Sequence, residues 1–237
     1  MLKFYNKKEK HEFLIFARQF INMKDYIAYL EEFVTENRKQ IFKNVLNNRT
    51  RYFTVALEDL YQMHNVSAVV RSADVFGLQD IHIIQQKYQP KLSHSIAKGA
   101  EKWLDIHRYP DTRTAIDNLR NKGYQIVATT PHTNDVNLPD FDISRPSAFF
   151  FGVEKDGLSA QVMEQADVFL KIPMYGFTES LNISVAAALI IRDVTERLRQ
   201  SDIQWQLSEA EKEQIYMQWL EKSIKSIELI KKKYFEK

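Results

Sequence analysis

The chain has 237 residues, and its 33 Lys and Arg against 31 Asp and Glu give a formal net charge of +2. Hydrophobic residues make up 44% and charged residues 27%, with only 6 Gly and 6 Pro, which excludes collagen-like, low-complexity and wholly disordered chains. Because Cys is absent, a disulfide framework, a thiolate metal site and a cysteine nucleophile are excluded as well.

The small net charge conceals an asymmetry along the chain. Residues 1–52 carry 11 basic and 6 acidic side chains, residues 53–195 carry 13 and 17, and residues 196–237 carry 9 and 8. Within the first segment, five cations follow one another with no acidic residue between them. They would suit contacts to phosphates, although a solvated helix face explains the same charges. These cations are Arg38, Lys39, Lys43, Arg49 and Arg51.

The first segment is predicted to be helical. Between residues 24 and 47, apolar residues recur at the spacing of one helix face. This series consists of Ile27, Leu30, Val34, Ile41 and Val45. We therefore interpret residues 1–52 as a basic helical N-terminal extension.

From residue 53 to residue 195, short runs rich in β-branched and aromatic residues alternate with helical stretches. This alternation is typical of an α/β domain with a largely parallel sheet. The predicted strands cover residues 53–57, 81–84, 103–109, 125–128, 148–151 and 168–172. Asp111 is a candidate N-cap and Gly123 a candidate C-terminal stop for one of the helices between them.

Residues 196–237 are predicted to be C-terminal helices. Ser208 and Glu211 have the spacing of a capping box. The helical residues that follow carry an apolar stripe, which must be buried against either the α/β body or a second subunit. The stripe consists of Tyr216, Trp219, Leu220, Ile224 and Ile227.

No stretch of the sequence is typical of a membrane span. The most apolar run, residues 183–191, contains Ser184 and ends before Arg192, well short of the ~20 residues that cross a bilayer. Residues 1–10 are charged and lack the apolar core of a signal peptide. We expect a cytoplasmic protein with no membrane partner.

Several common sites have no signature in this sequence. There is no G-x-G-x-x-G after a predicted strand, no Walker A loop and no G-x-S-x-G nucleophile elbow. The six histidines form no close pair of potential ligands, so no metal site is predicted.

The first candidate loop follows the predicted strand at residues 53–57. Asn65 occupies a position typical of a helix N-cap, and Arg71 follows six residues later. Both could face the carboxyl edge of the sheet, where ligands bind in open α/β folds. A capping Asn and a surface Arg explain the same residues without a function.

Two further candidate loops follow later strands. Gly152 and Gly157 permit a tight loop with backbone amides close to a ligand, and Glu154 places a carboxylate within it. Ser180 and Asn182 place polar groups at the start of an Ala-rich helix. Simple turns and caps are the alternative interpretation of both loops.

Taken in order, the three loops resemble the motifs of the SPOUT RNA 2′-O-methyltransferases. The motifs are Asn65 to Arg71 with Phe76-Gly77, then residues 151–159, then residues 172–184. The resemblance covers residues 53–195, and within the superfamily the chain is most similar to the TrmH branch, which methylates a guanosine of tRNA. The purely helical N-terminal segment also favours this branch over relatives that act on ribosomal RNA.

This resemblance implies a fold, a cofactor and an assembly. The implied fold is α/β, with a mostly parallel sheet and a C-terminal deep trefoil knot flanked by N- and C-terminal helices. The family acts as homodimers with the site at the subunit interface, to which the apolar stripe of residues 216–227 would contribute. The implied cofactor is S-adenosyl-L-methionine, with contacts at Thr129, Gly152, Ile172 and Leu181.

The resemblance also implies the reaction, which is methyl transfer to a ribose 2′-hydroxyl. The expected target is guanosine 18 in the D-loop of tRNA. The alternatives are another tRNA position, ribosomal RNA, or a non-catalytic RNA-binding protein of this fold. The five cations between residues 38 and 51 would contact the RNA phosphates. The implied catalytic residues are Asn65, Arg71, Glu154, Ser180 and Asn182.

Each catalytic residue has an implied role. Arg71 would either take the hydroxyl proton transiently, or remain charged, bind the adjacent phosphate and stabilise the developing alkoxide; a guanidinium is a poor base. Asn65 would position Arg71 or the ribose, and Glu154 would orient Arg71 or Asn65. Ser180 and Asn182 would shape the site and the cofactor loop.

Overall fold

The structure is a computed structural model that describes residues 23–86, 97–131, 136–153 and 156–235. The chain divides into two compact units. One unit is Asn48–Leu207, and the other combines the described parts of Met1–Asn47 with those of Ser208–Lys237. The N-terminal and C-terminal segments, which the sequence presents as separate extensions, therefore belong to the same unit.

The described residues form eight helices that carry labels below. In chain order they are α1 (residues 23–31), α2 (Glu36–Leu46), α3 (Met63–Val75), α4 (Thr112–Asn121), α5 (Ala160–Gln165), α6 (Ile183–Arg199), α7 (Glu209–Ser223) and α8 (Ile227–Phe235). Two 3-10 turns lie at Ala100–Lys102 and Leu138–Asp140. The predicted boundary at residue 195 falls inside α6, so this helix belongs wholly to the α/β unit.

The larger unit is built on a seven-stranded sheet. The strands are β1 (Phe53–Glu58), β2 (Asp80–Ile84), β3 (Asp105–Tyr109), β4 (Gln125–Thr129), β5 (Val136–Asn137), β6 (Ser147–Phe151) and β7 (Val168–Lys171). Their order is β3-β2-β1-β6-β4-β7-β5, and all pairings are parallel. This confirms the α/β prediction. The sequence predicts six strands to within two residues, whereas β5 is too short to give a pattern.

Helices cover both faces of the sheet, which explains why β1, β2 and β6 are buried along their whole length. Alternate residues of β6 face opposite sides. Phe149 and Phe151 belong to the core formed with α3 and α6, whereas Ala148 and Phe150 belong to the core formed with α4 and α5. Near-continuous apolar runs in these strands are therefore a requirement of a doubly covered sheet.

Local signals set the ends of several helices. Asp111 caps α4 by accepting a hydrogen bond from the Thr114 N–H at 2.8 Å, and Gly123 follows the helix with φ of +86°. Both predictions for this helix are confirmed. In the smaller unit, Thr35 caps α2 by accepting from the Arg38 N–H at 3.3 Å. A break before this cap divides the region that the periodicity treats as one helical series.

The predicted C-terminal stripe packs inside the smaller unit. The Ser208 and Glu211 capping box begins α7 as predicted. Trp219 is buried with its ring 5.5 Å from that of Phe42 on α2, and Tyr216 and Leu220 are buried beside it. Tyr216 and Trp219 of the stripe thus pack against Phe42 on α2 of the same chain. Among the described residues, no helix is long and apolar enough to cross a membrane.

Candidate active site

A cavity of about 560 Å³ opens at the carboxyl ends of β4, β6 and β7. In a parallel sheet the loops that follow neighbouring strands meet at one edge, which is where ligands bind in open α/β folds. The volume of the cavity lies within the range of about 300–1,000 Å³ that is typical of small-molecule sites. The cavity is therefore the candidate active site of the larger unit.

The cavity wall contains the residues that the sequence assigns to the cofactor. Thr129 follows from β4, Gly152 from β6 and Ile172 from β7, and Leu181 lies in the loop before α6. All four line the cavity although they are spread over more than fifty residues. Most of the remaining wall is apolar, with Leu170, Met174, Ile183, Ala186 and Ile190.

The loop after β6 forms a closed turn against the cavity. The Val153 N–H donates to the Gly157 carbonyl at 3.0 Å, and the Gly157 N–H donates back to the Val153 carbonyl at 2.8 Å. A Cβ added at Gly152 would lie 2.1 Å from the Gly157 oxygen, so only glycine fits there. Glu154, the predicted orienting carboxylate, lies outside the described residues.

Asn65 and Asn182 meet in the structure. The Asn182 Nδ2 donates to the Asn65 Oδ1 at 3.2 Å, joining the first motif to the third across 117 residues. Asn65 is buried, and its amide also donates to the Gln62 Oε1 at 2.7 Å. The predicted N-cap position of Asn65 is wrong, because α3 begins at Met63 and Gln62 occupies the cap.

Asn182 caps α6 by accepting from the Ser184 N–H at 2.9 Å. Ser180 makes no such cap; it is exposed and lines the cavity. Helix capping therefore explains one of the contacts of Asn182, and it does not explain the position of Ser180. Both polar groups predicted for this loop lie at the cavity wall.

Arg71 lies on a different side of α3 from Asn65. Six residues along α3 from Asn65 correspond to roughly 9 Å along the axis and roughly 120° around it. The side chain is exposed and makes no hydrogen bond or ion pair within the described ranges. The structure thus brings together Asn65 and Asn182, with Ser180 in the same loop, and leaves the guanidinium of Arg71 open to solvent.

Three of the predicted phosphate contacts lie on α2 in the smaller unit. Arg38 and Lys43 are exposed, with Lys43 3.7 Å from Glu31. The Lys39 ammonium donates to Glu36 at 2.5 Å, and its side chain is largely covered.

Arg49 is 1% exposed, which contradicts its predicted contact to RNA. Its guanidinium donates to the Leu78 carbonyl at 2.7 Å and forms an ion pair with Asp74. Burial lowers the pKa of Arg49, although Asp74 opposes this shift. The sequence shows the charge of such a residue but not that the fold encloses it.

Arg51 is also engaged inside the larger unit. It pairs with Asp80, and with Asp105 at 2.5 Å. Burial works against the cation, but the two carboxylates outweigh burial and raise the pKa of Arg51. Arg51 therefore has a structural role, and its side chain is 30% exposed, so its contact to an RNA phosphate stays a prediction.

Sequence reasoning missed several residues at the site. Thr130, Pro131 and Asp156 line the cavity without belonging to the predicted set. Glu58, the last residue of β1, contacts Ser159 at the end of the turn, 101 residues away. Proximity to the motifs could have suggested Asp156, whereas no pattern along the chain links Glu58 to Ser159. In the described ranges, no group of His, Asp and Glu could hold a metal ion.

The fold and the cavity together define an α/β protein that binds a small molecule at the carboxyl edge of a parallel sheet. More specifically, the chain belongs to the SpoU rRNA Methylase family, whose model matches residues 52–192. This confirms the family resemblance drawn from the three motifs.

Relatives and solved structures agree with this assignment. The tRNA (guanosine(18)-2'-O)-methyltransferase of Borreliella burgdorferi is 40% identical over 204 residues, covering 86% of this chain and 94% of the relative. The crystal structure of the A. aeolicus TrmH/SpoU tRNA modifying enzyme matches with a TM-score of 0.73 and 31% identity, covering 80% of this chain and 98% of that chain. An AdoMet-bound rRNA methyltransferase from Sinorhizobium meliloti matches with a TM-score of 0.57 and 25% identity, over 66% and 60% of the two chains.

Proposed function

We propose that the chain is an S-adenosyl-L-methionine-dependent tRNA methyltransferase that modifies the 2′-hydroxyl of guanosine 18. The observation that carries the proposal is the cavity, whose wall contains residues of both the second and the third motif. The B. burgdorferi relative, which carries this activity in its name, matches 86% of the chain, including both motifs' strands and loops. A non-catalytic RNA-binding protein would have no need of such a cavity.

The cavity suits S-adenosyl-L-methionine. Leu170, Ile172 and Ile190 form an apolar wall of the kind that receives a purine ring, while Thr129 and Asp156 offer hydrogen-bonding groups. The tight approach at Gly152 brings backbone groups to the same surface. When bound, the cofactor supplies a methyl group activated by the positive charge of a sulfonium.

The residues of this chain then have to place a ribose hydroxyl in line with that methyl group and help the hydroxyl lose its proton. Asn65 and Asn182, joined at 3.2 Å, form a preorganised pair of amides that would orient the ribose beside the cavity. Ser180 would shape the same wall. The orienting role of Glu154 stays a prediction.

Arg71 is assigned the electrostatic part of the reaction. Its guanidinium is exposed and unpaired within the described chain, so its charge is available to an RNA phosphate. Because a guanidinium holds its proton firmly, we favour the version in which Arg71 remains charged, binds the phosphate next to the target and stabilises the developing alkoxide. Transient proton transfer to Arg71 is the less supported version.

We also propose a homodimer through the exposed face of α6. Val185 and Leu189 lie one turn apart on this helix and are 46% and 44% exposed, while its opposite face is buried. The helix packs against α3, which carries Arg71, so a second copy on this face would lie beside that helix. Sedimentation velocity should show a dimer for the wild type and a monomer for Leu189→Glu; a monomeric wild type would refute this.

The trefoil knot and the cytoplasmic location are the remaining parts of the proposal. The strand order supports the knot, because β6 lies between β1 and β4 while β7 lies beyond β4. The loops after β4, β6 and β7 converge on the cavity, as the family's knot would require. We infer the cytoplasmic location from the proposed tRNA substrate.

The RNA contacts are assigned to α2, through Arg38, Lys39 and Lys43. The smaller unit has 16 basic and 12 acidic residues, whereas the larger unit has 17 and 19, so positive charge is concentrated in the smaller unit. We expect the double variant Arg38→Gln, Lys43→Gln to reduce the slope of log affinity against log salt by about 0.7 to 0.9 per lost phosphate contact. Lys122→Gln, an exposed cation of the larger unit, is the control. An unchanged slope in the double variant would remove α2 from the RNA interface.

The activity is tested by transfer from labelled S-adenosyl-L-methionine to unmodified tRNA, with the modified nucleotide mapped afterwards. We expect the label at guanosine 18, and a loss of about 10²–10³ in kcat for Arg71→Ala with unchanged cofactor affinity, as for removal of other oxyanion-stabilising groups. Arg113→Ala, an exposed cation on α4, is the matched control. A label elsewhere in tRNA or in ribosomal RNA would support the alternative substrates, and no transfer to any RNA would support the non-catalytic one.

A further inference from the structure

Glu58 is a buried carboxylate at the carboxyl end of β1, where the first motif's loop begins. It is 4% exposed, although carboxylates are rarely buried to this extent without a cation. Its partners within the described ranges are uncharged donors instead. Oε2 accepts from the backbone N–H of Ser159 at 2.8 Å, and Oε1 accepts from the hydroxyls of Ser159 at 2.7 Å and Thr112 at 2.5 Å.

Ser159 is the exit of the turn that follows β6. It caps α5 by accepting from the Val162 N–H at 3.3 Å, so the chain changes from loop to helix at this residue. The turn is closed upon itself by the two backbone hydrogen bonds between Val153 and Gly157. Its position against the sheet therefore depends on its two ends, which are β6 and Ser159.

The same turn forms one wall of the cavity through Gly152, Val153, Asp156 and Gly157. We propose that Glu58 is a positioning residue for this wall: its carboxylate holds Ser159 and thereby sets the distance of the turn from the cofactor. Glu58 touches neither substrate nor cofactor in this account. The inference rests on the proposed function, since it assigns Glu58 to the cofactor site of a methyltransferase.

The two carboxylate oxygens of Glu58 have different kinds of hydrogen-bond partner. The partner of Oε2 is a backbone N–H, which can only donate, whereas both partners of Oε1 are hydroxyls, which can donate or accept. A glutamine can place its oxygen at the Oε2 position, where it accepts from the Ser159 N–H, and its amide nitrogen at the Oε1 position, where it can donate to the hydroxyl oxygens. An apolar side chain of similar length would remove the acceptor that Oε2 offers to the Ser159 N–H.

This difference makes the proposal testable by calorimetric titration of the full chain with S-adenosyl-L-homocysteine. We expect Glu58→Gln to bind within a factor of about three of the wild type, and Glu58→Met to bind about tenfold more weakly, the worth of one lost hydrogen bond. In the transfer assay, the KM for S-adenosyl-L-methionine should rise in Glu58→Met while kcat changes little.

Thr112→Val is the matched control. It removes a hydrogen bond to the same carboxylate but leaves Ser159 held, so it should lower the melting temperature without changing the dissociation constant. A merely structural role of Glu58 would instead weaken binding in proportion to stability in all three variants.

If Glu58→Met does not fold, variants of its partner Ser159 provide the test. Ser159 has φ of −63°, which proline adopts without strain. Ser159→Ala keeps the backbone N–H and Ser159→Pro removes it, so the proline variant should bind about tenfold more weakly than the alanine variant.

Wild-type affinity in Glu58→Met, or equal affinity in the two Ser159 variants, would overturn the proposal. So would a Glu58→Gln variant that binds as weakly as Glu58→Met. Failure of the wild type to bind S-adenosyl-L-homocysteine would instead count against the proposed function itself.

Discussion

Asn182 serves two neighbours at once. Its Oδ1 accepts from the Ser184 N–H at 2.9 Å and from the Ser184 hydroxyl at 2.5 Å, which satisfies a free backbone group at the start of α6. Its Nδ2 donates to Asn65 and so connects two motifs. A helix needs only the first contact, because any small acceptor can cap it. The second contact needs a donor in the same side chain, which an amide provides.

These two roles of Asn182 can be separated by substitution. Asn182→Ala should lower the free energy of unfolding by about 1 kcal/mol through loss of the cap. Asn182→Ser retains a capping oxygen but has no amide to reach Asn65, so it should recover most of the stability and remain deficient in methyl transfer. Urea denaturation and the transfer assay measure the two effects. A fully active Asn182→Ser variant would leave Asn182 with the capping role alone.

At the scale of elements, the turn over residues 152–157 depends on close contact between its own backbone segments. The space beside Gly152 is occupied by the Gly157 carbonyl, whereas a Cβ at Gly176, in the loop before α6, would meet nothing within 4 Å. The two glycines therefore lie near the same cavity with opposite tolerance for a side chain. Packing requires a glycine only at residue 152.

We expect Gly152→Ala to force the turn open and to weaken binding of S-adenosyl-L-homocysteine at least tenfold, which corresponds to about 1.4 kcal/mol. Gly176→Ala should bind with wild-type affinity and serves as the control. Titration calorimetry, under conditions in which the two variants are equally stable, measures the difference in their affinities. Equal affinity of the two variants would show that the turn does not need to be closed for the cofactor to bind.

The sequence predicts an element well where local interactions determine it. The Asp111 cap, the Gly123 stop and the Ser208 and Glu211 capping box depend on residues three to twelve positions apart, and all are present. The pattern fails where a distant contact decides. Asn65 resembles a cap, yet it lies inside α3 and its side chain contacts Asn182, 117 residues away.

The same limit applies to the candidate site. Three of the four expected cofactor contacts belong to the motifs, and all four residues line the cavity; their contact with the cofactor stays a prediction. Arg49 and Glu58 could not be predicted, because a charge in the sequence does not reveal burial. Arg49 is enclosed by partners 25 and 29 residues away, and Glu58 by partners 54 and 101 residues away.

At the scale of the whole molecule, the candidate site and a charged network lie at opposite ends of the strands of the α/β unit. Asp80 and Asp105, the first residues of β2 and β3, both pair with Arg51, and His107 lies 2.6 Å from Asp80. The cavity lies at the carboxyl ends of other strands of this sheet. Changes in this network should therefore affect stability and leave the cofactor site intact.

His82 is the fully buried member of this region. Its ring stacks on that of His107 at 4.8 Å, and its Nδ1 lies 3.0 Å from the Tyr109 hydroxyl. That hydroxyl in turn donates to the Asn118 Oδ1 at 3.0 Å, an arrangement that assigns the proton to Nδ1. The other nitrogen, Nε2, is buried with no hydrogen-bond partner in the described ranges. A second proton on this ring would be buried without a protein acceptor in the described ranges.

Burial, reinforced by the neighbouring His107, lowers the pKa of His82 from 6.5 to about 3. The nearby carboxylate of Asp80 opposes this shift, whereas Arg51 and Lys122 add to it. An unfolded chain takes up this proton near pH 6.5, but the folded chain does not until the pH approaches 3. Between these values the unfolded state binds more protons, so acidification favours unfolding.

The stability contributed by neutral His82 is thus complete above about pH 6.5 and falls by up to about 1.4 kcal/mol per pH unit below it. His82→Phe keeps a stacked ring and removes the titration, so its free energy of unfolding should decline less steeply than that of the wild type between pH 6 and pH 4. His64→Phe, which replaces an exposed histidine outside this network, is the control for the substitution itself. Urea denaturation across this range measures the difference, and parallel curves for His82→Phe and wild type would assign the acid sensitivity to another group.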